Sequence, residues 1–194
     1  MSFSKIKSGF WAHIGRRLFH MFSISLTPFI YYELLKPAFP EVFFSEYLVI
    51  TICFIVLAFE AVRLGNGWVL YGQRPYEARR ISALAWTTFS LTLLLIFSPD
   101  KNLTYALAIS CALADPLLGE LRARAVDQRS AFTLSMVLIF AVWQLLGFGW
   151  VVSILMGVLT TVVEQPKLPW LDDNALMLLI PFGFYGVLHV WFLA

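Results

Sequence analysis

Asp115 is the residue of this chain whose presence most needs a chemical explanation. It follows the apolar run 105–114, which is long enough to carry it into a bilayer, where an ionised side chain costs about 3 kcal/mol or more unless it meets a partner, a metal or water. Pro116 comes next and frees a backbone carbonyl one turn earlier. If the helix continues, Asp115, Gly119 and Arg122 share one face. This spacing predicts an acidic centre, a position open to close approach and an anion-binding group.

A second polar segment runs from Glu164 to Asn174 and contains two prolines and two consecutive aspartates. Asp172, Asp173 or Asn174 can each serve as the N-cap of the last helix, which is a structural role that needs no function. Three such residues in a row exceed what one cap requires. We therefore expect one of them to cap the helix and another to contact a ligand.

Basic side chains near the N-terminus can complete such a site. Arg16, Arg17 and His20 fall on one side of the first apolar segment. The two arginines are explained equally well by membrane orientation and by phosphate binding. His20 lies about one turn inside the apolar region, where a histidine usually has a specific partner, and we expect that partner to be a phosphate or a carboxylate.

Glu60 and Arg63 are spaced three residues apart and can pair on one helix face. Such pairs are common at helix ends and individually weak. The pair is therefore either a simple ion pair or part of the same polar site.

The composition indicates an integral membrane protein. Hydrophobic residues make up 60% of the 194 and charged residues only 13%, against about 25% charged in a typical soluble domain. We expect a single membrane domain over residues 1–194, and the net charge of +2 does not suggest nucleic-acid binding. Cys53 and Cys111 lie in apolar runs, so we expect neither a disulfide nor a zinc site. The absence of glycine-rich phosphate-loop motifs excludes soluble nucleotide-binding architectures.

Hydropathy predicts an all-α fold, a polytopic membrane helix bundle of about seven transmembrane helices. Pro28 is expected to kink the first span. Polar loops are predicted at 64–80, 120–129 and 164–174. The predicted spans are 18–35, 43–62, 81–97, a fourth ending near residue 118, then 131–146, 150–163 and 175–193.

The distribution of lysine and arginine predicts the orientation of this bundle. With the N-terminus inside, twelve of the 14 basic residues fall on one side, and only Lys36 and Lys101 fall on the other. Under the positive-inside rule, the N-terminus is then cytoplasmic and the C-terminus is outside. All the candidate polar residues described above fall on the cytoplasmic side.

Four segments, taken in order, resemble those of the CTP-dependent polyprenol and diacylglycerol kinases, a family that includes dolichol kinase, phytol kinase and the fungal diacylglycerol kinase. The family patterns are an Arg-Lys-x-x-His opening, a Glu-x-x-Arg pair, a Gly-Asp-x-x-Ala-x-x-x-Gly stretch, and Val-Glu followed by Asp-Asp-Asn. The last pattern is the most specific. The similar segments here are 15–20, 60–64, 114–119, and 163–164 with 172–174.

The resemblance implies a membrane lipid kinase. Such an enzyme moves the terminal phosphoryl group of a nucleoside triphosphate, here CTP, to the hydroxyl of a polyprenol, a phytol-like isoprenoid or diacylglycerol, with Mg²⁺ as the metal. On this interpretation, catalysis is assigned to Asp115, Glu164 and Asp173, metal binding to Asp115 and Asp173, nucleotide or phosphate binding to Arg16, Arg17, His20, Arg63 and Arg122, and support to Glu60, Gly119, Asp172 and Asn174.

Two departures from the family pattern leave other functions open. Ala114 stands where the family has glycine, and the segment 127–131, Asp-Gln-Arg-Ser-Ala, stands where the family has Lys-Ser-x-Glu-Gly-Ser. Arginine does not replace lysine freely at a tight phosphate site. The first alternative is a non-catalytic family member that binds a lipid or a partner, and the second is a phosphatidate cytidylyltransferase-like enzyme that makes a CDP-lipid.

Overall fold

The structure is a computed structural model that describes residues 10–39, 44–69, 78–166, 168 and 170–190, with the side chains of 10–14 and 16 excepted. The described residues form seven helices and contain no strand, which confirms the all-α class. The helices are α1 (Phe10–Phe29, continued by a π-helical segment Ile30–Leu35 and the turn Lys36–Ala38), α2 (Phe44–Asn66), α3 (Ala83–Phe97), α4 (Lys101–Ala123), α5 (Gln128–Leu145), α6 (Trp150–Glu164) and α7 (Asp173–Leu188).

Side-chain caps fix where several helices begin. The hydroxyl of Ser82 accepts a hydrogen bond from the backbone N–H of Ala85 at 3.3 Å and starts α3. The carboxylate of Asp127 accepts from the N–H groups of Arg129 and Ser130 at 3.0 and 3.1 Å and starts α5. Because the first turn of a helix has no internal partners for these donors, each cap stabilises its helix by about 1 kcal/mol.

Helix α4 is longer than the sequence predicted. It runs through Pro116 to Ala123, so Glu120 and its neighbours, which were predicted to begin a loop, are helical. A proline removes one helical hydrogen bond, and packing on several sides of α4 compensates for that loss. The last helix likewise begins earlier than predicted, at Asp173 instead of Ala175.

Helix α1 contains the proline for which a kink was predicted. Directly after Pro28 the helix changes to a π-helical segment, Ile30–Leu35. A π turn spans one residue more than an α turn, so the backbone widens over this segment, on the C-terminal side of the proline.

Helices α1 and α4 pack against each other in antiparallel orientation. The N-terminal part of α1 therefore meets the C-terminal part of α4. We call this end of the bundle the site end. The contacts in order along α1 are Arg17 with Glu120, His20 with Asp115, Tyr32 with Thr104, and Glu33 with Lys101.

Helix α4 lies in the middle of the fold, with α1, α5 and α7 packed against it. Its buried face carries small side chains, including Ala106, Ala108, Ala112 and Ala114, each at most 1% exposed. Small side chains let neighbouring helices approach closely, as in membrane bundles. This central helix therefore acts as the platform on which the site end is assembled.

One helix in the described part of the chain, α2, is long and apolar enough to span a membrane. It has 23 residues and includes an 18-residue stretch of mean hydropathy 2.2. Of the residues in that stretch, 17% are buried inside the protein. Helices α3, α6 and α7 are apolar but shorter.

Candidate functional site

Three carboxylates from three helices meet at the site end. Asp115 belongs to α4, Glu164 is the last residue of α6, and Asp173 is the first residue of α7. One carboxylate oxygen from each lies within 4.8 Å of the other two. We call these three residues the acidic cluster. All three were predicted as site residues, and the fold brings them together although they are far apart in sequence.

The start of α7 positions the third carboxylate. Asp172 is the N-cap: its Oδ2 accepts a hydrogen bond from the backbone N–H of Asn174 at 3.2 Å and from the Asn174 side-chain amide at 2.7 Å. The expectation that one residue of this run caps the helix is confirmed. The cap leaves Asp173 in the first turn, where it joins the acidic cluster.

His20 connects α1 to this group of residues. Its Nε2 lies 3.1 Å from Oδ1 of Asn174 and 3.6 Å from Oδ2 of Asp115. Cys111 contacts the same asparagine, with its Sγ 3.6 Å from Oδ1. The predicted carboxylate partner of His20 is therefore Asp115, and the imidazole lies beside the acidic cluster.

Arg122 forms an ion pair with Glu164. Its Nη2 donates to Oε1 of the glutamate, and its Nε donates to the carbonyl of Leu118 at 3.1 Å. The Glu164 side chain is 0% exposed, whereas the Arg122 side chain is 44% exposed. Since a buried carboxylate without a counter-charge is strongly unfavourable, the guanidinium offsets the cost of burying Glu164.

A second arginine lies beside the cluster on the α1 side. Arg17 Nη1 donates to Oε2 of Glu120, and the other oxygen of that carboxylate accepts from Arg124 Nε at 2.9 Å. A Cβ atom built on Gly119 would lie 3.4 Å from Arg17 Nη2. This is an ordinary van der Waals distance, so Gly119 lies against the guanidinium of Arg17, and the need for close approach at Gly119 stays a prediction.

The concentration of acidic groups also affects Asp172. Burial raises the pKa of its carboxyl group to about 7, and the neighbouring charge of Asp173 adds to the shift. Hydrogen bonds from Asn174 lower the pKa and the charge of Asp115 raises it further. The contributions of Asp173 and Asp115 show that their charges act on Asp172, although burial is the larger cause.

A hard divalent cation fits this set of donors. Mg²⁺ prefers oxygen ligands, usually takes one or two carboxylates and keeps several waters. The acidic cluster supplies three carboxylates with oxygens within 4.8 Å of one another. It contains both predicted metal ligands, Asp115 and Asp173, together with Glu164.

Glu60 and Arg63 form a separate buried group instead of joining the acidic cluster. Arg63 Nε and Nη2 donate to the two oxygens of Glu60 at 2.8 and 2.9 Å, and its other hydrogen bonds reach the carbonyls of Trp68 and Arg80. Glu60 also accepts from the backbone N–H of Ser82. With its side chain 0% exposed, Arg63 has no open face for a phosphate. The predicted phosphate role is replaced by that of a clamp between the end of α2 and the start of α3.

The remaining predicted residue, Arg16, has a side chain outside the described part of the structure. Glu120 is the site-end residue whose role sequence analysis missed, because it was grouped with a basic loop. Glu120 and Arg124 are four residues apart, and a glutamate and an arginine at this spacing pair readily on a helix. The spacing would have indicated the role of Glu120 if α4 had been predicted to extend past residue 118.

Comparisons with protein-family models, with curated proteins and with solved structures find no significant match.

Proposed function

We propose that this protein is a membrane lipid kinase that transfers the terminal phosphoryl group of a nucleoside triphosphate, CTP by resemblance, to the hydroxyl of a lipid alcohol. The observation that carries the proposal is the acidic cluster, in which three helices contribute carboxylates within 4.8 Å, next to the cations Arg17 and Arg122. Phosphoryl transfer needs this combination, because its catalysis is mainly positioning and neutralisation of phosphate charge.

Each part of the site has a role in this reaction. Mg²⁺ held by the acidic cluster would supply positive charge at the phosphate oxygens. Arg17 and Arg122 neutralise the charge on the equatorial oxygens of the transferred group. Asp115 orients the lipid hydroxyl and accepts its proton, while His20, 3.6 Å from Asp115, stabilises the charge of that carboxylate.

The proposal includes a polytopic bundle with the site end at the cytoplasmic surface. Helices α3 and α6 have 15 residues and α7 has 16, which at 1.5 Å per residue gives lengths of about 22 to 24 Å. The ion pairs of Arg17 and Glu33 on α1 are sixteen positions apart, which corresponds to about 24 Å. These lengths agree with one another and are about 6 to 8 Å shorter than the usual ~30 Å hydrocarbon layer, whereas α2 and α4, with 23 residues each, exceed it.

The outer surface of the bundle supports the same proposal. Helix α4, which is described over its whole length, has no exposed large apolar side chain. The six helices around it all have exposed large apolar side chains, as expected of surfaces that contact lipid. Examples are Phe19, Phe54, Phe97, Leu145, Trp150 and Val187.

A non-catalytic lipid or partner binder is the second candidate, and one observation favours it. The segment 127–131, which replaces the Lys-Ser segment of the resembling family, forms the N-terminal cap of α5, with the Asp127 carboxylate bound to backbone N–H groups. It supplies no lysine to the site. In the kinase proposal, Arg17 and Arg122 provide the cations instead.

An experiment with one nucleotide in two labelled forms separates the candidates. Membranes containing the protein receive Mg²⁺, total lipid extract and CTP labelled at either the γ or the α phosphorus, with labelled ATP in parallel. A kinase breaks the bond to the terminal phosphorus, so γ label enters the lipid and α label leaves as CDP. Label from the α phosphorus in the lipid would identify a cytidylyltransferase, and lipid without label from either nucleotide would support the non-catalytic candidate.

A further inference from the structure

Glu164 is shared by two groupings of side chains at the site end. It is paired with Arg122, and it belongs to the acidic cluster with Asp115 and Asp173. A cation bound by the acidic cluster would contact the same carboxylate that Arg122 now neutralises. We propose that Arg122 and the divalent metal ion exchange at Glu164, so that metal binding releases the guanidinium to bind phosphate.

The burial of Glu164 favours this exchange. Its side chain is 0% exposed, and a buried carboxylate is far less costly with a positive partner than without one. Arg122 provides that charge when the metal is absent. When a divalent cation occupies the acidic cluster, Glu164 keeps a counter-charge and the guanidinium can leave without exposing a buried ion to an apolar environment.

Arg122 has the position and freedom that the exchange requires. It lies in the last turn of α4, and its side chain is 44% exposed. Arg63, by contrast, is 0% exposed and bound on several sides, so it has no freedom to change partners. Of these two arginines paired with buried glutamates, Arg122 is the one that an anion can reach.

The other arginine at the site end has a different arrangement. Glu120, the partner of Arg17, also binds Arg124 at 2.9 Å and therefore keeps a cation if Arg17 moves. Release of Arg17 does not depend on metal. Coupling between metal and phosphate consequently resides in Arg122, and this part of the inference rests on the proposed function, in which the anion is a nucleotide phosphate.

The test is a titration of the purified chain with Mn²⁺, in detergent micelles without nucleotide. The electron paramagnetic resonance signal of free Mn²⁺ reports how much metal remains unbound. Because Arg122→Gln removes the competing cation, it should bind Mn²⁺ about tenfold or more tightly than the wild type. The matched control is Arg124→Gln. It removes an equal charge two residues further along the chain, where the arginine pairs with Glu120 and not with Glu164, and it should leave the affinity for Mn²⁺ unchanged. Equal tightening in both variants, or none in Arg122→Gln, would overturn the exchange.

A second measurement needs no variant and so does not depend on the folding of Arg122→Gln. Phenylglyoxal modifies accessible arginines, and mass spectrometry of the peptides reports each arginine separately. Saturating Mn²⁺ should increase the modification rate of Arg122 in the wild-type protein and leave that of Arg124 unchanged. An Arg122 rate that stays constant or falls on adding Mn²⁺ would contradict the proposal.

The failure of this inference and that of the proposed function are distinguishable. If Mn²⁺ exposes Arg122 but no labelled lipid forms, the exchange stands and the kinase proposal falls. If labelled lipid forms but Mn²⁺ neither binds more tightly to Arg122→Gln nor exposes Arg122 in the wild type, the exchange falls and the kinase proposal stands.

Discussion

Two glutamate–arginine pairs in this protein use the same chemistry for different purposes. In the Glu60–Arg63 pair both side chains are buried, and the guanidinium is also bound to backbone carbonyls. In the Arg122–Glu164 pair the carboxylate is buried but the arginine is half exposed. The accessibility of the cation therefore separates a structural pair from one that can take part in binding an anion.

Asp115 carries the first prediction. Asp115→Asn should keep expression and thermal stability in detergent near the wild-type values, because the amide is isosteric with the carboxylate. Turnover should fall by two orders of magnitude or more, which corresponds to about 3 kcal/mol of barrier. The readout is the γ-label transfer to lipid.

The matched control for that variant is Asp100→Asn. Asp100 precedes α4 at its other end and makes no side-chain cap hydrogen bond, and it lies fifteen positions from Asp115, about 22 Å along the helix. It should keep wild-type turnover. An Asp115→Asn protein that stays active but loses its fold on extraction would mean that Asp115 is structural.

The clamp between α2 and α3 carries the second prediction. Arg63→Met should destabilise the protein by about 3 kcal/mol or more, because it leaves the buried Glu60 carboxylate without its counter-charge. The double variant Glu60→Gln/Arg63→Met should regain part of that stability, since no buried ion then remains. Thermal unfolding in detergent measures both. If the double variant were no more stable than Arg63→Met alone, the loss would come from packing and not from the unpaired buried charge of Glu60.

Some of the site residues could be predicted from sequence and others could not. Asp115, Glu164 and Asp173 were identifiable because ionisable groups beside apolar runs are costly and need a reason to be there. The pairing of Arg17 with Glu120 joins residues 103 positions apart, and it depends on which helices become neighbours. Local patterns contain no information on that choice, so Glu120 was missed and Arg63 was placed with the phosphate ligands.

At the level of helices, several boundaries followed from apolar runs between turn signals, but α1 begins at Phe10 instead of residue 18, α2 ends at Asn66 instead of residue 62, and α4 ends at Ala123 instead of near residue 118. Helix α3 was predicted at 81–97 and lies at Ala83–Phe97, and α6 was predicted at 150–163 and lies at Trp150–Glu164. Helix α4 continues past its proline because neighbouring helices pack around it. The extra turns matter, since they bring Arg122 and Glu120 onto the same rigid element as Asp115.

The contact between α5 and α6 carries the third prediction. A Cβ atom on Gly157 would lie 3.0 Å from the carbonyl oxygen of Met136 and 3.3 Å from its Cγ, so the two helices meet closely at this glycine. Gly157→Leu should force them apart and lower the unfolding temperature. Gly183→Leu is the matched control, because a Cβ atom there would meet nothing within 4 Å. Equal losses in the two variants would contradict a specific contact at Gly157.

At the level of the whole molecule, the proposed orientation places the acidic cluster and its arginines on one side of the membrane. The antiparallel packing of α1 and α4 supports a clear separation of the two ends, with Arg17 and Glu120 at one and Glu33 and Lys101 at the other. A water-soluble nucleotide and a membrane lipid can then meet at a single surface.

The orientation carries the fourth prediction. Single cysteines at Ser98 and Asn102 should react with a membrane-impermeant maleimide in intact cells, and those at Asn66 and Gln128 should react only after permeabilisation. Background should be small, because both native cysteines are buried. The reverse labelling pattern would place the acidic cluster outside the cell and refute the cytoplasmic site.

The inward position of α4's small side chains, together with the outward position of the large apolar ones, has an evolutionary consequence. A surface that contacts lipid needs only to be apolar, so its residues can exchange freely among leucine, isoleucine, valine and phenylalanine over many generations. Substitutions on the buried face of α4 are restricted by close packing, because its alanines and its buried leucines, such as Leu103 and Leu107, are at most 1% exposed. If the proposed membrane bundle is correct, similarity to related proteins would persist longest at a few scattered polar positions, while the apolar outer surface would diverge faster.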